Sequence, residues 1–205
     1  AVKVADIEIA DIPRFSLGIP ALDQILGKDD KTGIYGMPKG SCLIFGAERG
    51  TGKTRLSVEV ASHVGSPWRH IDANGNNGVL YIQNEEKLSV FRARAARSWT
   101  DEHNIWVSSS DNLLQHQFLI DKHKPKLVII DSMQDTVQAR YTGGLINMLT
   151  TYKAIAEDTG ISFWLISHLT VKGTIKGGSY PGHKVDIELI AVRNKEDKGL
   201  FDVSC

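Results

Sequence analysis

Cysteine is scarce in this chain: two in 205 residues, Cys42 and Cys205, with no CxxC pair. That excludes a disulfide framework and a cysteine-based metal cluster, so zinc is not expected. Long apolar runs are missing as well. None approaches the roughly 18 to 20 residues a membrane-spanning helix needs, and the first residues carry no signal-peptide pattern, so a cytoplasmic protein with no membrane association is expected. Neither sign of charge is in excess: 24 Lys and Arg face 24 Asp and Glu, a formal net charge of zero. Any attraction for nucleic acid must therefore come from a local basic patch. Internal repeats, low-complexity tracts and a clear domain boundary are absent too. With 41% hydrophobic and 23% charged residues the composition is that of a folded globular chain, and the length suits one α/β domain with a sizeable core.

What the sequence does have is concentrated in residues 41–54, SCLIFGAERGTGKT. Leu43-Ile44-Phe45 is too short an apolar run for a helix and suits a buried strand, while Gly50 and Gly52 let successive backbone N–H groups converge on one anion. This is a phosphate-binding loop. Lys53 is placed to reach the β- and γ-phosphates of a nucleotide, the Thr54 hydroxyl to hold magnesium, and the following helix turns its positive end toward the phosphates. The cradle comprises Ala47, Glu48, Arg49, Gly50, Thr51, Gly52, Lys53, Thr54 and Arg55. One departure stands out: the usual spacing puts glycine where Ala47 stands, with Gly46 just before it. Alanine fits if that position keeps φ negative.

Elsewhere, Pro20 and Gly27 bracket a short helix, and residues 28–40 read as a loop. Helices are expected over 53–64, from Leu88 through Phe91, Ala95 and Trp99, over 112–124 with Leu114 and Phe118 four apart, and through Leu145, Met148, Leu149, Tyr152 and Ala156. Strands are expected at 79–82, 105–107, 127–131 and 161–166, the first and last of them buried, and a terminal hairpin from 185–192 and 200–203. Strands alternating with helices imply an α/β fold with a mostly parallel sheet and right-handed crossovers. Residues 1–12 alternate loosely, as an added edge strand or an interaction arm.

Chemistry is expected where these strands end. Asp131 closes an apolar strand at the binding edge of such a sheet, to hold a magnesium shell or merely to cap the turn. Glu85, ahead of Glu86, is the candidate to orient and polarise a water in line with a γ-phosphate; a solvated acidic helix start is the plainer alternative. His168, directly after its strand, is placed to feel that phosphate or relay its loss. The loop that follows has Lys172, Lys176 and Lys184 and no acid, with Tyr180 to stack a base, which suits single-stranded DNA; a ligand-free lysine loop is the alternative. Arg92, Arg94 and Arg97 scatter around their helix and read as a solvated face or a subunit contact. Arg193 and Lys195, two apart, can act as fingers on a neighbouring subunit's nucleotide.

Read together, these motifs resemble the RecA-type ATPase core of the RadA/Sms family of bacterial recombination proteins, with KaiC-like ATPases close behind. Arg14-Phe-Ser-Leu-Gly-Ile-Pro-Ala-Leu-Asp23 is similar to that family's RFSTGIPELD, and Val79-Leu-Tyr-Ile-Gln-Asn-Glu-Glu86 to its VLYVSGEE. Leu127 to Gln134 resembles LVVIDSIQ, His168-Leu-Thr its HVT, His183 to Asp186 its HMVD, and Arg193-Asn-Lys195 its KNRFG in reversed order. The family's KEG lysine falls on Val171, with Lys172 one place later. The resemblance implies a RecA-like P-loop domain over 14–205 behind an N-terminal arm at 1–13, with a C-terminal antiparallel hairpin. It also implies ATP and Mg2+ as cofactors, Glu85 as the water-activating residue, and a homohexameric ring. Such a ring acts on single-stranded DNA in recombination, repair and branch migration beside a recombinase. Neither the zinc finger nor the Lon-protease-like domain that flank this core in the family has a counterpart here, so a minimal relative or an excised core is expected. A replicative helicase of RepA or DnaB type, faintly suggested by Pro67-Trp68, and a KaiC-like ATP-binding module without DNA are the other readings.

Overall fold

A computed structural model describes residues 12–67, 75–100, 102–136, 143–170, 174–175, 182–194, 196 and 201–204. Residues 1–11 of the expected arm at 1–13, together with Trp68, Lys172, Lys176, Tyr180, Lys195 and Cys205, lie outside the described residues.

Four strands set the centre of the molecule: β3 (Cys42–Ala47), β4 (Val79–Gln83), β6 (Leu127–Asp131) and β7 (Ser162–His168). The first three are buried throughout, and only His168 breaks the pattern in β7. Continuous apolar runs arise because both faces of a parallel sheet are covered. Side chains alternate across it, so Leu43 and Phe45 enter one core while Ile44 enters the other. The first core is closed by α1 (Pro20–Leu26), α2 (Lys53–Val64) and α3 (Leu88–Ala95); the second by α4 (Leu113–His123) and α5 (Gly144–Thr159).

With β5 (Ile105–Ser108), β8 (Ile187–Arg193) and β9 (Phe201–Ser204), these strands form a seven-stranded sheet in the order β5-β4-β6-β7-β3-β8-β9. Every pairing is parallel except β8 with β9, the expected C-terminal hairpin. Parallel pairing sends the C-terminal ends of the central strands to one rim. Ala47 lies level with His168 and with Ala191, and Gln83 level with Asp131. Four separate segments thus deliver their last residues side by side.

Two expectations need correction. The loop at 28–40 contains β2 (Met37–Pro38), which pairs antiparallel with β1 (Arg14–Phe15) in a small second sheet. Two-residue strands have no periodicity for a sequence to display. In α4 the apolar pair Leu114 and Phe118 faces outward, 74% and 65% exposed, while His116 and Ile120 face the core. The polar residue is tolerated inside because both its ring nitrogens are bonded, to the Tyr152 hydroxyl at 2.6 Å and the Ser110 carbonyl at 2.8 Å.

Candidate active site

The loop after β3 has the backbone its sequence calls for. Gly50 and Gly52 sit at φ 76° and 85°, a region costly to any residue with a Cβ. An added Cβ would meet nothing within 4 Å at either, so the backbone conformation and not crowding requires glycine there. Ala47 ends its strand, and among described non-glycine residues only Lys124 has positive φ. Gly46 does a different job: a Cβ there would lie 2.9 Å from the Leu169 side chain and 3.2 Å from that of Ile190. The glycine displaced by one position is a packing residue. Helix α2 begins at Lys53 with Gly52 as its N-cap and no side-chain capping bond. Its first-turn N–H groups remain for an anion.

Lys53 is buried and folded back on its own loop, donating to the carbonyls of Ala47 at 3.1 Å and Glu48 at 2.8 Å. Burial pulls its pKa down, against the opposing pull of the Glu85 and Asp131 charges. Asp131 is almost wholly buried, and desolvation pushes its carboxyl up to about 6, although the Thr54 hydroxyl and the Tyr81 phenol both favour its charged form. Tyr81 donates to Asp131 Oδ2 at 3.0 Å and lies 2.7 Å from the Ser57 hydroxyl. Burial and the Asp131 charge hold that phenol protonated. The second oxygen, Oδ1, has no hydrogen-bond partner. A buried carboxylate oxygen without a partner beside a threonine hydroxyl is a donor set of hard oxygens, and it fits a magnesium ion.

At the end of β4 the two neighbouring glutamates part company. Glu85 Oε1 is 2.7 Å from His168 Nε2, joining the ends of β4 and β7. Glu86 instead accepts from Arg94 Nη2 at 3.0 Å. Asp135, held by the Ser132 hydroxyl, brings a carboxylate within 4.8 Å of the Glu85 and His168 donor atoms. Gln134 donates to the Ser167 hydroxyl at 2.5 Å and leaves its carbonyl oxygen unpartnered. Between these groups and the loop lies a cavity of about 640 Å³, lined by Arg49, Gly50, Gly52, Lys53, Thr54 and Arg55 on one side. Glu85, Arg94, Gln134, Asp135 and His168 line the other.

The structure therefore brings Lys53, Thr54, Glu85 and His168 to one cavity, with Asp131 beneath Lys53 and Thr54. Arg193 is exposed on the same rim, two residues beyond Ala191, and is not among the residues lining that cavity. Lys184 ends a short 3-10 turn, Gly182–Lys184, half-buried ahead of β8. Sequence reasoning missed Tyr81 and Ser57, which fix Asp131, and Arg94, Gln134 and Asp135, which line the cavity. The spacing of four between Lys53 and Ser57 was the available signal for one of them. Cys42 is buried, and its thiol is pushed up to about 12, so it stays protonated. No helix among the described residues is long and apolar enough to cross a membrane.

The family model described as "AAA domain" matches residues 31–174. The chain is 30% identical over 199 residues to the DNA repair protein RadA of Mycolicibacterium smegmatis, covering 92% of this chain and 40% of that protein. It is 27% identical over 192 residues to RadA of Bacillus subtilis, covering 91% and 39%, and 24% identical over 200 residues to RadA of Escherichia coli, covering 92% and 39%. The chain thus spans about two fifths of the length of these relatives.

Proposed function

We propose, for a chain that belongs to the AAA domain family and is a RadA/Sms-like ATPase core of the RecA type, that it hydrolyses ATP in a DNA-dependent manner and works on single-stranded DNA in recombination and repair. The observation that supports this best is the shared rim: a glycine loop with an open helix N-terminus, the buried Lys53, Thr54 and Glu85 line one cavity, and the buried Asp131 interacts with Lys53 and Thr54 behind it. Backbone N–H groups of 50–54 and Lys53 hold the phosphates, and Thr54 and Asp131 hold magnesium. When bound, that ion neutralises charge on the phosphate oxygens. Glu85 takes the proton of the attacking water. His168 bonds Glu85 and directly precedes in sequence the segment with Lys172, Lys176, Tyr180 and Lys184, so it couples hydrolysis to DNA held by those residues. Arg193, with Lys195, serves a neighbour's nucleotide in an oligomeric ring that extends recombination joints with a recombinase.

The test is ATP hydrolysis with and without single-stranded DNA across protein concentration. A rate per subunit that rises with both is expected. A rate indifferent to DNA would remove the nucleic-acid role, and one indifferent to concentration would remove the action of Arg193 across subunits.

A further inference from the structure

Resting on the reading of the cavity as a MgATP site, we propose that Arg94 is a catalytic cation supplied by the same chain, held in place by Glu86. Glu85 and Glu86 leave one fixed turn. The buried Gln83 amide, oriented to satisfy its bonds, accepts from the Glu85 N–H at 3.2 Å and the Glu86 N–H at 2.7 Å and donates to the Glu86 carbonyl at 2.6 Å. From that turn Glu85 lines the cavity while Glu86 does not. Glu86 is the more buried of the pair it forms with Arg94, side chains 18% and 50% exposed, and one of its oxygens accepts from the guanidinium at 3.0 Å.

The geometry divides labour between adjacent acids: one faces the reacting end of the cavity, and the other anchors the guanidinium beside it. An arginine serves here because its planar fork engages a carboxylate through one nitrogen and keeps further donors for phosphate oxygens. As water adds to the terminal phosphorus and the bond to the bridging oxygen breaks, giving ADP and inorganic phosphate, Arg94 exchanges no atom or proton. It meets the negative charge on the phosphate oxygens, which a cation positioned in advance stabilises. Hydrolysis then has a component independent of any neighbouring subunit, unlike the contribution assigned to Arg193.

Steady-state hydrolysis and calorimetric MgATP binding, on the full chain, test this with Arg94→Ala, Arg94→Lys, Glu86→Gln and the double variant Glu86→Gln/Arg94→Ala. Arg94→Ala is expected to lower kcat by about 100-fold or more while MgATP affinity stays within about threefold, as for loss of one transition-state donor. Arg94→Lys, which keeps the charge, recovers part of kcat. Glu86→Gln lowers kcat about tenfold with KM little changed, and the double variant is no slower than Arg94→Ala, because Glu86 acts through Arg94. An Arg94→Ala kcat within about threefold of the parent's overturns the proposal, and so does additive loss in the double variant. Failure of the parent chain to bind MgATP would instead overturn the nucleotide reading beneath it.

Discussion

Asp131 shows how much a site residue can cost the fold that holds it. Burial, which disfavours the charge, pushes its carboxyl up to about 6 in the folded chain from 3.8 for the free group. Between those values the folded state binds more protons than the unfolded state, so stability falls as pH rises through that window and the loss persists above it. A shift of about two units corresponds to on the order of 3 kcal/mol. Asp131→Asn is therefore expected to raise the thermal midpoint of the ligand-free chain at neutral pH. It should also flatten the decline in stability between about pH 4 and 6, while magnesium-dependent nucleotide binding is lost. In the parent chain that binding weakens as pH falls through about 6, where Asp131 takes up its proton. Thermal melts and calorimetry across pH check both. A variant less stable than its parent at neutral pH would mean that Tyr81 and Thr54 stabilise the charge more than burial opposes it.

At the scale of elements, the register of α4 gives a sharp contrast. Ile120→Ala removes a side chain that is 2% exposed and should cost about 2 to 5 kcal/mol. Phe118→Ser, on the same helix, should change stability by less than about 1 kcal/mol. Chemical denaturation distinguishes them, and a larger loss for Phe118→Ser would show that the helix is turned the other way. That helix also marks where the sequence stops being readable. Strands β3, β4, β6 and β7 are evident because burial on both faces produces unbroken apolar runs, and α5 because Met148, Leu149, Tyr152 and Ala156 repeat at helical spacing and are all buried. In α4 the apolar repeat points to solvent, and the inward face is recognisable only once Tyr152 is seen to bond His116. The phosphate loop was evident residue by residue, since its glycines answer to backbone conformation. The separation of Glu85 from Glu86, and the approach of Arg94, depend on how α3 packs, which spacing alone does not contain.

For the whole molecule, net charge is zero, yet Arg49, Lys53, Arg55, Glu85, Arg94 and Asp135 meet in one cavity at a rim of the sheet. Parallel strand pairing does the gathering: any chain with this strand order delivers the ends of β3, β4, β6 and β7 together, and the sequence places Ala47, Gln83, Asp131 and His168 there. Binding of a triphosphate at that rim is what everything else presupposes. Calorimetric titration of ATP, with and without magnesium, into the parent chain and Lys53→Ala addresses it. Magnesium-dependent, one-to-one binding is expected for the parent, weakened at least about 30-fold in Lys53→Ala, the scale of one charge-assisted hydrogen bond. Equal affinity in the two chains, or binding indifferent to magnesium, would contradict it.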